Sequence, residues 1–378
     1  MKDLPHVDDD ECYAISWQPQ TTYFYSSDDI RYLGVYIDPA DMAAATPGVY
    51  TGNIHWRLDF GNQISEDGVI PITLTIPDPA SAPSFTYHGM VLSGQIGVQF
   101  FMNLPGGAAN YPGSYMSFSG NGIDKTFNPS DATVDSDGEY KFICFVNAIQ
   151  MADEITPVFH YFVNGVEKTV EGDAYSVKAY VDYVLNESAY AAVHPLAQAL
   201  GNYGHFAQIY LSGIHSAASY GTHAEMPAYG NPSYDYSDIY TAIADKEIER
   251  PVAGDIDAIS FSLYADSETR VYLYLNMKEG YAGTPTATLG GESLTVSPTG
   301  VTGEYRIILP ALKANGLGNM LTVTVSDGTA STTVKVSALS YVRSVLDPGK
   351  TKTEAVKNFA SALYQYNREA VAISGQGQ

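Results

Sequence analysis

The sequence predicts a mixed β and α+β fold, in which an N-terminal β-sandwich-like domain is followed by two diverged copies of a module made of a β-sheet and two helices. Three observations predict this class. Residues 13–79 are predicted to form strands, and apolar and polar side chains alternate in 53–60 with the period of two that marks a half-buried strand. The proline-rich stretch 77–83 then ends this domain as a linker. Beyond it four sequence blocks recur in order, so we place the domains at residues 1–80, 81–250 and 251–378.

Two segments indicate strands in the N-terminal domain. One face of the first segment, 53–60, carries four apolar side chains: Ile54, Trp56, Leu58 and Phe60. The second strand covers 69–76, where Pro71 suits a sheet edge or a strand start because proline has no N–H for the ladder. Pro47 and Gly48 supply the turn that leads into this region.

The repeat is the most informative feature of the remaining chain. Its four matched blocks pair 98–104 with 271–277, 138–140 with 303–305, 176–185 with 337–346, and 197–207 with 360–370. The offsets are 173, 165, 161 and 163, so the order is kept and only the loop lengths differ. Each copy is therefore expected to run through its strands first and then through two helices.

Helical spacing and capping residues define the two helices of each copy. Ser176 and Ser337 stand at equivalent N-cap positions, each before apolar residues with a helical period. A second helix is predicted to start near Pro195 in the first copy and after Thr353 in the second. A helix with one apolar face cannot stand alone in water, so we expect each pair to pack on its own sheet.

Between the copies, about residues 211–245 form an extension rich in Tyr, Ser, Gly and Ala. We single out Tyr229, Tyr234 and Tyr236 as candidate ligand-binding residues, because glycine and proline keep their segment out of regular structure. Two other interpretations stay open. The segment could be a mobile linker, or its rings could fold back and cover the core of the module.

Charge excludes several classes of partner. The chain has 19 Lys+Arg against 42 Asp+Glu, a net charge of −23, so binding to nucleic acid or to an anionic membrane surface is not expected. No apolar run approaches the ~20 residues that span a bilayer, and no signal peptide or sortase signal is present. If the protein is exported, we expect its signal and anchor to lie outside this chain.

No catalytic motif stands out, so we expect a protein without catalytic residues and without a cofactor. There is no nucleophile elbow, His-Glu-x-x-His helix, Cys-x-x-Cys pair or phosphate-binding glycine loop. A glycosidase would need only two suitably placed carboxylates, which 42 acidic residues leave open.

Two groups of residues have the side chains of a metal site, but neither has the pattern that predicts one. The acidic loop 131–139 resembles a calcium loop, but its counterpart 297–304 keeps the turn and lacks the aspartates. Four histidines, at spacings that fit no compact zinc pattern, are His194, His205, His215 and His223. Cys12 and Cys144 are expected to be separate thiols, since a bridge would have to join two domains.

The helical segments 176–185 and 359–367, and the turn and strand 47–52, resemble parts of large modular cell-surface proteins of anaerobic Gram-positive gut bacteria. The resemblance implies an Ig-like module followed by duplicated modules, and display outside the cell. Some proteins of this type bind host molecules, including immunoglobulins as B-cell superantigens. It therefore implies an immunoglobulin as one partner, without assigning that role to particular residues.

Together these features predict a non-enzymatic, secreted or surface-displayed bacterial binding or adhesion protein with a host protein or glycan as its partner. The alternatives are a carbohydrate-binding accessory region of a larger secreted enzyme, whose exposed aromatic rings would stack on sugars, and a structural spacer.

Overall fold

A computed structural model describes residues 2–3, 48–59, 65–76, 82–91, 95–163, 165–214, 221–265 and 268–375 of the 378-residue chain. Cys12, His215 and the predicted strand residue Phe60 lie outside these ranges.

The N-terminal region is a three-stranded sheet in its described part. The strands are β1 (Lys2–Asp3), β2 (Gly48–Asp59) and β3 (Ser65–Ile76), in that order. β2 and β3 form an antiparallel hairpin, and β1 pairs with β2 in parallel. Pro71 lies on β3 and faces Asn53 of β2. β3 is an edge strand of the described sheet, and proline is tolerated on edge strands. The β-rich character predicted for this region is confirmed.

The first copy of the repeat contains eight strands among its described residues. They are β4 (Ser84–Val91), β5 (Gly97–Asn103), β6 (Tyr115–Gly120), β7 (Ile123–Phe127), β8 (Thr133–Val134), β9 (Tyr140–Phe145), β10 (Ile155–Val163) and β11 (Val166–Glu171). They form two antiparallel four-stranded sheets with the orders β4-β5-β9-β8 and β11-β10-β6-β7.

The second copy repeats this topology strand for strand. Its strands are β12 (Ile256–Ala265), β13 (Thr269–Met277), β14 (Thr286–Leu289), β15 (Glu292–Ser293), β16 (Val296–Pro298), β17 (Glu304–Ile308), β18 (Leu321–Ser326) and β19 (Ser331–Val336). The sheet orders β12-β13-β17-β16 and β19-β18-β14-β15 are those of the first copy.

The register of the ladders agrees with the sequence matches. Met102 pairs with Tyr140 in the first copy, and Leu275 pairs with Tyr305 in the second. These are the residues that the two sequence blocks align. The prediction of two diverged copies is thus confirmed at the level of individual strand pairs.

Each copy buries the face between its two sheets. In the first copy the Phe100 and Phe118 ring centroids, from opposite sheets, are 5.5 Å apart, and those of Phe142 and Phe159 are 6.3 Å apart. All four side chains are at most 2% exposed. Burial of such rings is the main favourable term that holds the sheets together.

Five helices of the described chain follow the strands or join the copies: α1 (Val177–Asn186), α2 (His194–Ile214), α3 (Tyr236–Ala242), α4 (Ala338–Leu346) and α5 (Glu354–Ser374). Both predicted N-caps are present. Ser176 Oγ accepts from the N–H of Ala179 at 3.0 Å, and Ser337 Oγ accepts from the N–H of Ser340 at 3.1 Å. Each bond satisfies one of the N–H groups that a helix start leaves free.

The packing of the second helices differs from the prediction. α1 and α4 contact the sheets of their own copies, but α2 and α5 pack mainly against each other. The ring of Tyr203 stacks on that of Tyr366 at 5.6 Å and lies 5.7 Å from that of Phe359. The expectation that each pair packs on its own sheet holds for the first helix of each pair and was wrong for the second, because two apolar helix faces can bury one another across the copies.

An approximate twofold axis relates the copies. Tyr203 stacks on its own equivalent, Tyr366. Gln95 likewise forms an isolated β-bridge with its equivalent, Glu268, and the two side chains share a 2.5 Å hydrogen bond. A residue contacts its own equivalent only close to such an axis. The two copies are therefore arranged like the subunits of a symmetric dimer, within one chain.

Candidate functional site

An open groove of about 620 Å³ lies beside the edge strand β4 of the first copy. β4 forms one wall, through Phe85 and His88, and α1 forms the other, through Tyr180 and Tyr183. The connection between α1 and α2 adds Tyr190. The groove exists because an edge strand has no further strand beside it, so the helix covers the sandwich only in part.

The floor of the groove is apolar and its rim is aromatic. Phe100 and Val184 form part of the floor and are 1% and 2% exposed. By contrast Tyr183 and Tyr190 are 51% and 42% exposed, with ring centroids 5.7 Å apart. Large aromatic side chains that stay this accessible are the kind that protein surfaces use for recognition.

His88 and Tyr175 form a contact within the groove, with ring centroids 3.8 Å apart. Burial lowers the pKa of His88 below 6.5, and the charge of Asp173 offsets part of that shift. The imidazole is therefore neutral at physiological pH. Asp173 lies at the rim, where its side chain is exposed.

The phenols of Tyr175 and Tyr183 are protonated at neutral pH. Burial raises the pKa of Tyr175 to about 12, with a further contribution from Tyr180 and Tyr183. A hydrogen bond with Tyr190 raises the pKa of Tyr183. Each protonated phenol can both donate and accept a hydrogen bond. The groove thus presents neutral hydrogen-bonding groups around an apolar floor.

The second copy has a groove at the same place, of about 400 Å³. Phe261 is the equivalent of His88. Phe261 pairs with Leu273 and His88 pairs with Phe100, and Leu273 and Phe100 are equivalent residues of the matched block. On the helix, Tyr341 and Val345 repeat Tyr180 and Val184. The cavity is therefore a property of the module.

The rims of the two grooves differ in their exposed aromatic rings. Ser344 stands where the first copy has Tyr183. The helix connection contributes Thr351, Lys352 and Thr353 where the first copy has Tyr190. The fold forms with small or polar residues at these positions, so the tyrosines are not needed to build the module.

Comparisons with known proteins add no function. No family model matches this sequence. No curated protein is significantly similar to it. Within the described residues, no helix is long and apolar enough to cross a membrane. Function must therefore be argued from the groove and its chemistry.

The groove tyrosines are not among the candidate site residues predicted from the sequence. The signal was present in the matched block 176–185 and 337–346, where Tyr183 is aligned with Ser344. A tyrosine that one copy has and the other lacks is a candidate for function, because the shared fold does not explain it. Tyr190 lies outside the matched blocks, so no sequence signal marked it.

The three tyrosines predicted to bind a ligand lie against the protein core. Tyr229 donates its hydroxyl to Asp182 at 2.8 Å, and Tyr236 donates to Asn358 at 2.7 Å. The ring of Tyr234 packs edge-on against Phe206. All three are half-buried, which is the packing expected of a core cover, and ligand binding by these tyrosines stays a prediction.

The linker interpretation of this segment was wrong for residues 221–245, and residues 211–214 belong to the end of α2. Met226 is fully buried, and its N–H donates to Gln208 on α2 at 2.8 Å. Farther along, the N–H of Tyr229 donates to Asn202 at 2.7 Å, and Asn202 donates back to the Tyr229 carbonyl oxygen at 2.9 Å. These bonds tie the segment along the helix.

The three described histidines of the zinc hypothesis have separate partners. His194 donates to the carbonyl oxygen of Glu187 and His205 to that of Met226, while His223 lies 2.5 Å from the Asp153 carboxylate. In the part of the chain that is described, no three His, Cys, Asp or Glu side chains converge as metal ligands would.

The acidic loop of the first copy forms a turn with its own carboxylates. Asp135 accepts from the N–H groups of Asp137 and Glu139, and Asp131 accepts from that of Asn128. These carboxylate oxygens of Asp131 and Asp135 therefore stabilise the turn itself. Cys144 is a buried free thiol, and burial raises its pKa to about 11.

Proposed function

We propose that this protein is a non-enzymatic binding or adhesion protein, secreted or displayed on a bacterial surface, that holds its partner in the groove between β4 and α1. One observation carries the proposal. Both copies have the groove, but only the first has exposed tyrosines on the rim, at positions 183 and 190. A host glycoprotein or an immunoglobulin is the partner that the resemblance to gut bacterial surface proteins favours.

The chemistry of the groove supports binding over hydrolysis. Glycosidases use two carboxyl groups on either side of the scissile bond. The lining of this groove contains a single carboxyl group, that of Asp173. The lining contains no serine or cysteine that the neutral His88 could activate, and Thr86 supplies its one aliphatic hydroxyl.

A carbohydrate-binding accessory region of a larger enzyme would use the same groove, and the aromatic rim is the observation that favours it as a second candidate. The two candidates differ in the source of the ligand. An adhesin is expected to bind host glycoproteins, whereas an accessory region is expected to bind the polysaccharide that its enzyme degrades.

The test replaces the rim tyrosines with the residues that the second copy has there. Tyr183→Ser with Tyr190→Thr should weaken binding to purified mucin or purified immunoglobulin, measured on immobilised protein, by about tenfold or more. Tyr115→Ser is the matched control, because Tyr115 lies on the other sheet, where its ring stacks on His160. Its binding should equal that of the wild type.

Three outcomes would contradict the proposal. If the double variant binds as well as the wild type, the groove is not the site. If neither host protein binds but a plant or bacterial polysaccharide does, the accessory-region candidate replaces the adhesin. If no partner binds, a structural spacer is the better description.

A further inference from the structure

The rim of the groove brings several tyrosine hydroxyls together. Tyr175, Tyr180, Tyr183 and Tyr190 all line the groove, and the ring centroids of Tyr183 and Tyr190 are 5.7 Å apart. Each of these hydroxyls offers one donor and two acceptor sites. A ligand with many hydroxyl groups can satisfy such a cluster, whereas an apolar ligand would leave it without partners.

The same side chains also present apolar surface. The exposed rings of Tyr183 and Tyr190 flank a floor that includes Phe100 and Val184. A pyranose ring has hydroxyls around its edge and C–H groups on its faces. This combination matches a groove with phenol hydroxyls and ring faces side by side.

Charge narrows the ligand further. The groove lining includes Asp173 and contains no lysine or arginine. His88 adds no positive charge at neutral pH, because burial lowers its pKa. An anionic sugar such as a sialylated or sulfated glycan would meet a carboxylate and find no cation to pair with. The whole chain, at −23, would also repel it.

The backbone of β4 argues against an extended peptide as the ligand. A peptide could in principle continue the sheet at this edge. However, β4 has a bulge between Phe85 and Tyr87, with Thr86 as the extra residue. A bulge interrupts the regular row of N–H and C=O groups and is one way in which edge strands avoid pairing. Side chains, more than strand backbone, are left to make the contacts.

From these observations we infer that the groove of the first copy binds an uncharged saccharide, the neutral glycan part of its partner. The inference rests on the proposed function, since it names the ligand of the same groove. The volume of about 620 Å³ lies within the roughly 300–1,000 Å³ of small-ligand sites, so a short oligosaccharide fits and a protein loop is not required.

The experiment uses an array of neutral oligosaccharides together with their sialylated and sulfated forms. Neutral forms should bind, and the added anionic group should weaken binding by about tenfold or more. Affinity for the neutral forms should change by less than about twofold between roughly 0.05 and 0.5 M NaCl, because screening acts on charges. Tyr183→Ser with Tyr190→Thr should abolish this binding, and Tyr115→Ser should not.

Mucin before and after enzymatic removal of its glycans separates failure of the inference from failure of the proposed function. If the deglycosylated mucin still binds, and the double variant loses that binding, the groove is the site but its ligand is a polypeptide. Binding of sialylated forms alone would likewise overturn the inference and leave the groove in place. If the double variant binds every probe as well as the wild type, the proposed function fails with the inference.

Discussion

Leu363→Ala is the sharpest test of the arrangement of the two copies. Leu363 is fully buried on α5, the helix that packs against α2 of the other copy. The substitution removes three carbon atoms, at about 0.8 kcal/mol each, so the transfer term is about 2.4 kcal/mol. The cavity that remains adds to this, and we expect the free energy of unfolding to fall by about 2–5 kcal/mol.

Thermal and urea unfolding measure this change. For a domain of 150–250 residues each kcal/mol lowers Tm by about 2–4 °C, so Leu363→Ala should lower it by roughly 4–20 °C. Val371→Ala is the control on the same helix, since Val371 is 50% exposed and its truncation should cost less than about 0.5 kcal/mol.

Hydrogen exchange tests whether the loss crosses between the copies. Because α2 and α5 share one interface, Leu363→Ala should reduce amide protection in α2 as well as in α5. Unchanged melting would show that Leu363 is not buried. Loss of protection confined to the second copy would refute the packing of the second helices on one another.

Three further predictions follow from single contacts. Gly201→Ala should destabilise the protein by about 1–3 kcal/mol in urea unfolding, because a Cβ there would lie 2.4 Å from the Tyr229 ring, whereas Gly213→Ala, with open space around it, should be neutral or stabilising. Asp327→Asn should lower the free energy of unfolding at pH 7, because the Asp327 carboxylate accepts three backbone N–H bonds that lower its pKa below 3.8. The ionised carboxylate stabilises the fold above pH 3.8, so the difference between variant and wild type should vanish as the pH falls well below 3.8. The pKa of His88 in the folded protein lies below 6.5, so as the pH falls the unfolded chain binds a proton at His88 before the folded chain does. The free energy of unfolding should therefore fall as the pH drops below about 6.5, and H88F should remove that part of its pH dependence.

The architecture of the two copies could be predicted from the sequence because repetition is a strong signal. Four blocks in the same order identify equivalent residues in the two copies, and the equivalent strand pairs Met102–Tyr140 and Leu275–Tyr305 agree with that match. Capping chemistry is local, so Ser176 and Ser337 could be assigned from their neighbours alone.

The contacts between the copies could not be predicted in the same way. An apolar stripe shows that a helix face is buried but not what covers it, so the stack of Tyr203 on Tyr366 had no sequence signal of its own. The tyrosines of the extension posed the same problem. Their ring faces suit either a ligand or the core, and only the hydrogen bonds from Tyr229 and Tyr236 to Asp182 and Asn358 show which surface they meet.

The duplication also explains how the two grooves came to have different roles in the structure. Tyr210, on α2 of the first copy, reaches the groove of the second copy, where it stacks on Phe359 and hydrogen-bonds to Tyr341. Its equivalent on α5 is Ile373, which is not part of the first groove and has no hydroxyl to offer. The second groove therefore receives a side chain from the interface between the copies and measures about 400 Å³, whereas the first groove receives none and measures about 620 Å³. In a symmetric dimer of identical subunits both grooves would receive this side chain or neither would, because each residue occurs in both subunits. Two copies on one chain are free of that constraint, so one groove can stabilise the interface while the other remains available for a ligand.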